Sequence, residues 1–153
     1  MPEKADANLN LQFHGRVARF SPGQMTDQGK PAYKVLVVDD ESSVRDSIRM
    51  LLEFHGHTVE TADGGALGLT RLETERFDLV ITDYLMHGMR GDQLAAAIKQ
   101  RHPALPIILA TAFADDLKAN GTLNGIVDHL LIKPFSMAEL CEAVASVATP
   151  ARQ

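Results

Sequence analysis

From Tyr33 onward the apolar residues gather into short dense runs, separated by longer stretches with a helical period. KVLVV (34–38) is a β-branched run that ends in acids. That is the form of a strand buried on both faces of a parallel sheet, where no polar alternation is needed. FDLVIT (77–82), LPIILAT (105–111) and IVDHLLI (126–132) read the same way, whereas HTVETA (57–62) alternates as an edge strand does. Helical periods fill the gaps. The first runs from Ser42 with Val44, Ile48, Leu51 and Leu52 on one stripe and stops near Gly56; the second carries Ala66, Leu69 and Leu72 after the Gly64-Gly65 turn. A third begins at about Gly91 and runs through Leu94, Ala95 and Ile98, and the last starts at Ser136, with Glu139 placed for a capping box. The fourth helical stretch, DDLKANGTLNG (115–125), is weak: Asn120-Gly121 is a stop signal, so a short helix is expected.

Five strands alternating with five helices across residues 33–149 make an α/β fold of βαβ units. Right-handed crossovers turn such units into a doubly wound five-stranded parallel sheet with helices on both faces. Residues 1–32 break this pattern. They mix Pro2, Gly15, Pro22, Gly23, Gly29 and Pro31 with polar residues and are expected to be a flexible leader or linker, with a short period-2 fragment at Leu9–Phe13 as the alternative; 150–153 form a short tail.

Composition narrows the function classes. A chain of 153 residues with 45% hydrophobic and 23% charged residues fits one globular domain, and it lacks an apolar run long enough to cross a membrane or act as a secretory signal, so a cytoplasmic protein is expected. Cys141 is the single cysteine, which excludes an intrachain disulfide and a thiolate metal cluster; its apolar helical setting predicts a core or half-buried residue. The net charge of −5 divides into +1 for residues 1–33 (four Lys/Arg, three Asp/Glu) and −6 for 34–153 (11 against 17). An acidic domain without a basic stripe is a poor match for a phosphate backbone, so direct nucleic-acid binding is not expected.

The chemistry collects where the fold predicts it. In doubly wound sheets the functional crevice lies outside the carboxyl ends of the strands. Here those ends carry Asp39-Asp40, Asp83, Thr111 and Lys133-Pro134. Three carboxylates brought together call for a compensating cation, and a hard dication such as Mg²⁺ is the usual one. A hydroxyl and an ammonium facing the same point suit the equatorial oxygens of a phosphoryl group, and an Asp carboxylate is a competent nucleophile for phosphoryl transfer. Singly, each motif has an ordinary structural reading as a helix cap, a turn residue or a solvated loop. His55, His57, His102 and His129 have no companion ligands in sequence and are expected to be solvated turn residues.

The chain resembles the receiver domains of bacterial two-component response regulators, of the chemotaxis-regulator type. The resemblance rests on VLVVDDE (35–41), LVITDYLMHGMRG (79–91), ILATA (108–112) and LIKPF (131–135). It implies a flavodoxin-like sheet of strand order 2-1-3-4-5 and a phosphorylation-dependent signalling switch. In that family Asp83 would be the phosphoacceptor, Asp40 a direct and Asp39 a mainly water-mediated Mg²⁺ ligand, and the Leu85 carbonyl would complete the protein's share of the metal shell. Thr111 would supply the hydroxyl that moves toward the phosphoryl group and Lys133 its ion-pair partner, with a cis Lys133-Pro134 bond. The implied donor is a sensor histidine kinase or a histidine phosphotransfer protein, and such a receiver catalyses only its own phosphotransfer and dephosphorylation.

Two positions depart from the family pattern. Leu130 stands where Tyr or Phe is usual, and His87 stands where Pro is frequent, four residues after Asp83. Leu85 and Phe113, two residues after Asp83 and Thr111, are apolar and would screen the phosphoryl group from water if they turn inward. Few residues follow Val147, so output is expected through contact with a downstream protein at the face of the fourth helix, fifth strand and fifth helix, with homodimerisation as a further expectation. Alternatives are a receiver segment of a hybrid kinase or phosphorelay, a degenerate receiver, and an Asp-nucleophile phosphohydrolase of the haloacid-dehalogenase type. The last would need Asp-x-Asp after the first strand, where this chain has Asp39-Asp40-Glu41.

Overall fold

The computed structural model describes residues 29–121, 123 and 125–148. The leader up to residue 28, its alternative strand at Leu9–Phe13 and the tail at 150–153 lie outside the described residues. Strands β1 (Lys34–Val38), β2 (Thr58–Ala62), β3 (Leu79–Asp83), β4 (Ile107–Thr111) and β5 (His129–Ile132) alternate with helices α1 (Ser42–Phe54), α2 (Gly65–Thr74), α3 (Gly91–Arg101), α4 (Ala114–Asn120) and α5 (Met137–Ala148). All strand pairs are parallel and the order is β2-β1-β3-β4-β5, as the flavodoxin-like pattern implies.

Because successive strand residues point to opposite faces, the continuous apolar runs feed two cores. Val35, Val37, Leu79, Ile81, Ile108 and Leu131 pack with Ile48 and Leu52 of α1 and Leu140 and Val144 of α5. Leu36, Val38, Val80 and Ile107 face the other way, onto Leu72 of α2 and Leu94 and Ile98 of α3. Leu109 packs beneath α4 with Leu117 and Leu123. β2 is an edge strand, yet it serves both cores, with Val59 in one and Ala62 in the other.

Strand β1 matches its apolar run, but β3, β4 and β5 start later than theirs suggest, and two aspartates account for this. Asp128 gives its Oδ2 to the Ile107 N–H at 2.8 Å and to Lys99 Nζ at 2.9 Å, so the β4–β5 ladder opens at Ile108 and His129 while Ile126 and Val127 remain in a turn. Asp78 takes the Lys34 N–H at 2.8 Å, and β3 starts one residue after it. Helix α4 is seven residues long and stops at Gly121, whose φ of 65° is left-handed, as its sequence predicts. The Ser136–Glu139 capping box forms with both arms, Ser136 N–H to Glu139 Oε1 at 2.8 Å and Glu139 N–H to Ser136 Oγ at 3.1 Å. Cys141 is half-buried, in line with expectation. His57 is not a solvated turn residue: it is half-buried, stacks on Tyr33 with ring centres 5.5 Å apart, and accepts the Tyr33 N–H on Nδ1 at 3.0 Å. Among the described residues no helix is long and apolar enough to cross a membrane.

Candidate phosphoacceptor site

The parallel register delivers the polar strand ends to one edge of the sheet. Asp39 and Asp40 follow β1, Asp83 closes β3, Thr111 closes β4 and Lys133 follows β5. Main-chain bonds hold these ends in place: Asp39 N–H to the Ala62 carbonyl at 3.2 Å, Tyr84 N–H to the Ala110 carbonyl at 3.1 Å, and Lys133 N–H to the Thr111 carbonyl at 2.9 Å. One carboxylate oxygen from each of Asp39, Asp40 and Asp83 lies within 4.8 Å of the others, and among the described residues no other such acidic or histidine cluster forms. Lys133 Nζ donates to Asp83 Oδ1 at 2.8 Å and stands 3.6 Å from Asp39 Oδ2. The Lys133-Pro134 peptide bond is cis.

The electrostatics of the cluster are those of a cation site. Asp39 is 2% exposed, and burial pushes its carboxyl above the ordinary value, against the pull of the Glu41 N–H; Asp83 and Asp40 push it further up, while Lys133 opposes them. Burial would lower the Lys133 ammonium, but its contacts with Asp83 and then Asp39 outweigh burial and hold it above the usual lysine value. Asp40 moves the other way. The His87 N–H and then the His87 ring, both donating to Asp40 Oδ2, hold that carboxyl below the usual range. One ammonium among three carboxylates leaves negative charge that a divalent oxygen-seeking ion would neutralise, so the donor set fits Mg²⁺. Thr111 is 1% exposed and accepts the Phe113 N–H on Oγ1 at 2.9 Å, which leaves its own hydroxyl hydrogen available for donation.

The flanking residues were less legible. Leu85 and Phe113 are 52% and 48% exposed, so each keeps about half its surface in water. Leu130 is half-buried against the small core beneath α4. Three contacts have no signal in the spacing alone. The Arg45 guanidinium donates to the Asp39 carbonyl at 2.6 Å, His87 reaches back to Asp40, and Gly91 lies against the backbone of Asp83. Both a Pro at position 87 and any side chain at position 91 would change the site, yet neither effect follows from hydrophobic pattern.

The family model for the response regulator receiver domain matches residues 35–145, which includes every residue of this cluster. The chain belongs to the response regulator receiver domain family. Receiver relatives include the response regulator protein FleR of Pseudomonas aeruginosa, 38% identical over 115 residues, and the DNA-binding transcriptional regulator NtrC of Escherichia coli K12, 41% identical over 114 residues. Each alignment covers 74% of this chain and 24% of the relative, so the chain spans about a quarter of the length of these curated relatives. Among solved structures, the response regulator TrrA of Thermotoga maritima, in complex with Mg²⁺-BeF, is 31% identical with a TM-score of 0.70, covering 74% of this chain and 97% of that one. The receiver fold and its 2-1-3-4-5 sheet are therefore shared with such proteins.

Proposed function

We propose that this receiver domain, spanning residues 33–149, is a phosphorylation-dependent signalling switch whose phosphoacceptor is Asp83. The carrying observation is the Lys133–Asp83 ion pair at 2.8 Å inside the three-carboxylate cluster. Asp39, Asp40, Asp83 and the Leu85 carbonyl would hold Mg²⁺, which when bound offsets the charge of the incoming phosphoryl group and of the carboxylates. TrrA, a relative whose structure contains Mg²⁺-BeF, supports that assignment by analogy.

The chain's own residues account for the transfer. An oxygen of the Asp83 carboxylate attacks phosphorus, the bond from phosphorus to the donor imidazole nitrogen breaks, and the released imidazole keeps that electron pair. Lys133 stays paired with the negative charge at Asp83, and the Thr111 hydroxyl donates to a phosphoryl oxygen. In a second, separate step water attacks phosphorus, the bond to the Asp83 oxygen breaks, and inorganic phosphate leaves with Asp83 restored as a carboxylate, so the domain catalyses its own phosphotransfer and dephosphorylation. The phosphoryl source is a phosphohistidine on a sensor histidine kinase or histidine phosphotransfer protein, and the cytoplasm is the proposed setting of the reaction. Output passes to a downstream protein, or to a second copy of the chain, through α4, β5 and α5. Residues 1–32 act as leader or linker and 150–153 as a tail. Intact-mass measurement with acetyl phosphate and Mg²⁺ tests the reading: one phosphate is gained by the wild type and none by Asp83→Asn. Equal labelling of both proteins rejects Asp83.

A further inference from the structure

The β3–α3 loop folds back over one of the carboxylates, and it does so through a residue the strand-end pattern does not include. Asp40 Oδ2 accepts two hydrogen bonds from His87, from the main-chain N–H at 2.9 Å and from ring Nδ1 at 2.7 Å. A carboxylate has no proton to give at neutral pH, so Nδ1 carries the hydrogen and donates it. The His87 ring itself stands in solvent, with full side-chain exposure, while Asp40 is 24% exposed; Gly88, with φ at 83°, turns the chain directly after it. The ring is thus not held there by packing. Its fixed point is Asp40.

A carboxylate oxygen has two in-plane lone pairs. With both facing N–H donors, Oδ2 has none to share with a metal, and Asp40 is left to ligate through Oδ1. We propose that His87 is a positioning residue that makes Asp40 a one-oxygen ligand and thereby sets the selectivity of the site for Mg²⁺ over Ca²⁺. Mg²⁺ demands a compact octahedral shell of single oxygens, whereas Ca²⁺ takes six to eight and gains from a carboxylate gripping it with both. Loss of the ring frees one lone pair of Oδ2 while the main-chain donor remains, so the carboxylate can rotate toward two-oxygen binding. Outer-shell donors of this kind typically alter metal affinity by about 10–100-fold, and an exposed ring belongs at the low end.

The inference rests on the metal reading above, and the two can fail separately. Calorimetric titration of the unphosphorylated chain with MgCl₂ and with CaCl₂ gives the ratio of the two affinities for the wild type, His87→Ala, His87→Asn and Asp40→Asn. The Mg²⁺ preference should fall by about tenfold in His87→Ala. It should recover in His87→Asn, whose amide N–H₂ can stand in for Nδ1–H. A general loss of stability would weaken both ions together and leave their ratio unmoved. An unchanged ratio in His87→Ala, with binding still lost in Asp40→Asn, overturns the role of His87 and keeps the metal site. Failure of the wild type to bind either ion, or full binding by Asp40→Asn, overturns both.

Discussion

Substitution of Gly91 by alanine should damage the site through the backbone rather than through any reacting group. A Cβ at this first residue of α3 would collide with the Asp83 carbonyl oxygen and lie 2.7 Å from Leu109 Cδ1. Neither neighbour can yield cheaply: one is main chain at the end of β3, and Leu109 is fully buried. Separating them to ordinary contact requires α3 to shift by roughly 1 Å. That shift strains the Gly91 N–H bond to the Tyr84 carbonyl, 2.8 Å long. Overpacking costs about 1–3 kcal/mol and a weakened buried hydrogen bond about 1 kcal/mol, against less than about 1 kcal/mol gained in helix propensity. A net loss of about 1–3 kcal/mol lowers Tm by roughly 4–12 °C in a domain of this size. Thermal melts followed by circular dichroism measure it, with Gly64→Ala as control, since a Cβ there meets nothing within 4 Å and its backbone is extended. Phosphoryl uptake, assayed below the melting range, should fall as well, because Asp83 moves with its carbonyl. A Gly91→Ala melt no lower than that of Gly64→Ala would refute the reasoning.

Two further outcomes follow from the buried charges. Asp39→Asn keeps an acceptor for the Glu41 N–H but removes one carboxylate repulsion, so the metal-free protein should gain about 1–2 kcal/mol at neutral pH and lose most of its stabilisation by Mg²⁺. Because the Asp39 carboxyl is raised, its destabilising effect is absent below the unfolded value and appears as pH rises through the folded one; denaturant midpoints across that acid range should flatten in Asp39→Asn, and an equally steep profile counts against it. His57 titrates with the opposite consequence: burial, and then His55, hold it below the ordinary histidine value of 6.5, so stability is full above 6.5 and is lost as pH falls from there through the lowered folded value. His57→Asn, which keeps an acceptor for the Tyr33 N–H, should remove that loss below pH 6.5 in urea melts. Retention of the acid loss in this variant would assign it to another group.

What could be read from the chain was what depends on local period and on topology. Once KVLVV and its companions are buried parallel strands, their carboxyl ends must share one edge, so the company of Asp39, Asp40, Asp83, Thr111 and Lys133 follows from connectivity. The starts of β3, β4 and β5 did not follow, because Asp128 and Asp78 take ladder hydrogen bonds with their side chains, and an acid inside an apolar run carries no mark of doing so. The packing of His57 is hidden from the sequence for a related reason. Its flanking glycine and its place between helix and strand say turn, while its partner Tyr33 lies 24 residues away and is reached only through the β1–β2 register. His87 and Gly91 sit in a loop whose path is set by tertiary contact with Asp40 and Asp83, beyond the reach of periodicity.

The position of β5, with one strand between it and β3, turns the sheet into a ruler. Neighbouring strands are about 4.8 Å apart, so the backbone that carries Lys133 starts roughly 10 Å to the side of the one that carries Asp83. The 2.8 Å contact between them exists because a four-carbon stem spans that offset over the end of β4. A cation at this location is therefore constrained in length as well as in charge: a shorter amine would stop above Thr111, and the wider guanidinium of arginine would contend with that buried hydroxyl for the same passage. The spacing of the main chain has, in this sense, already chosen the side chain.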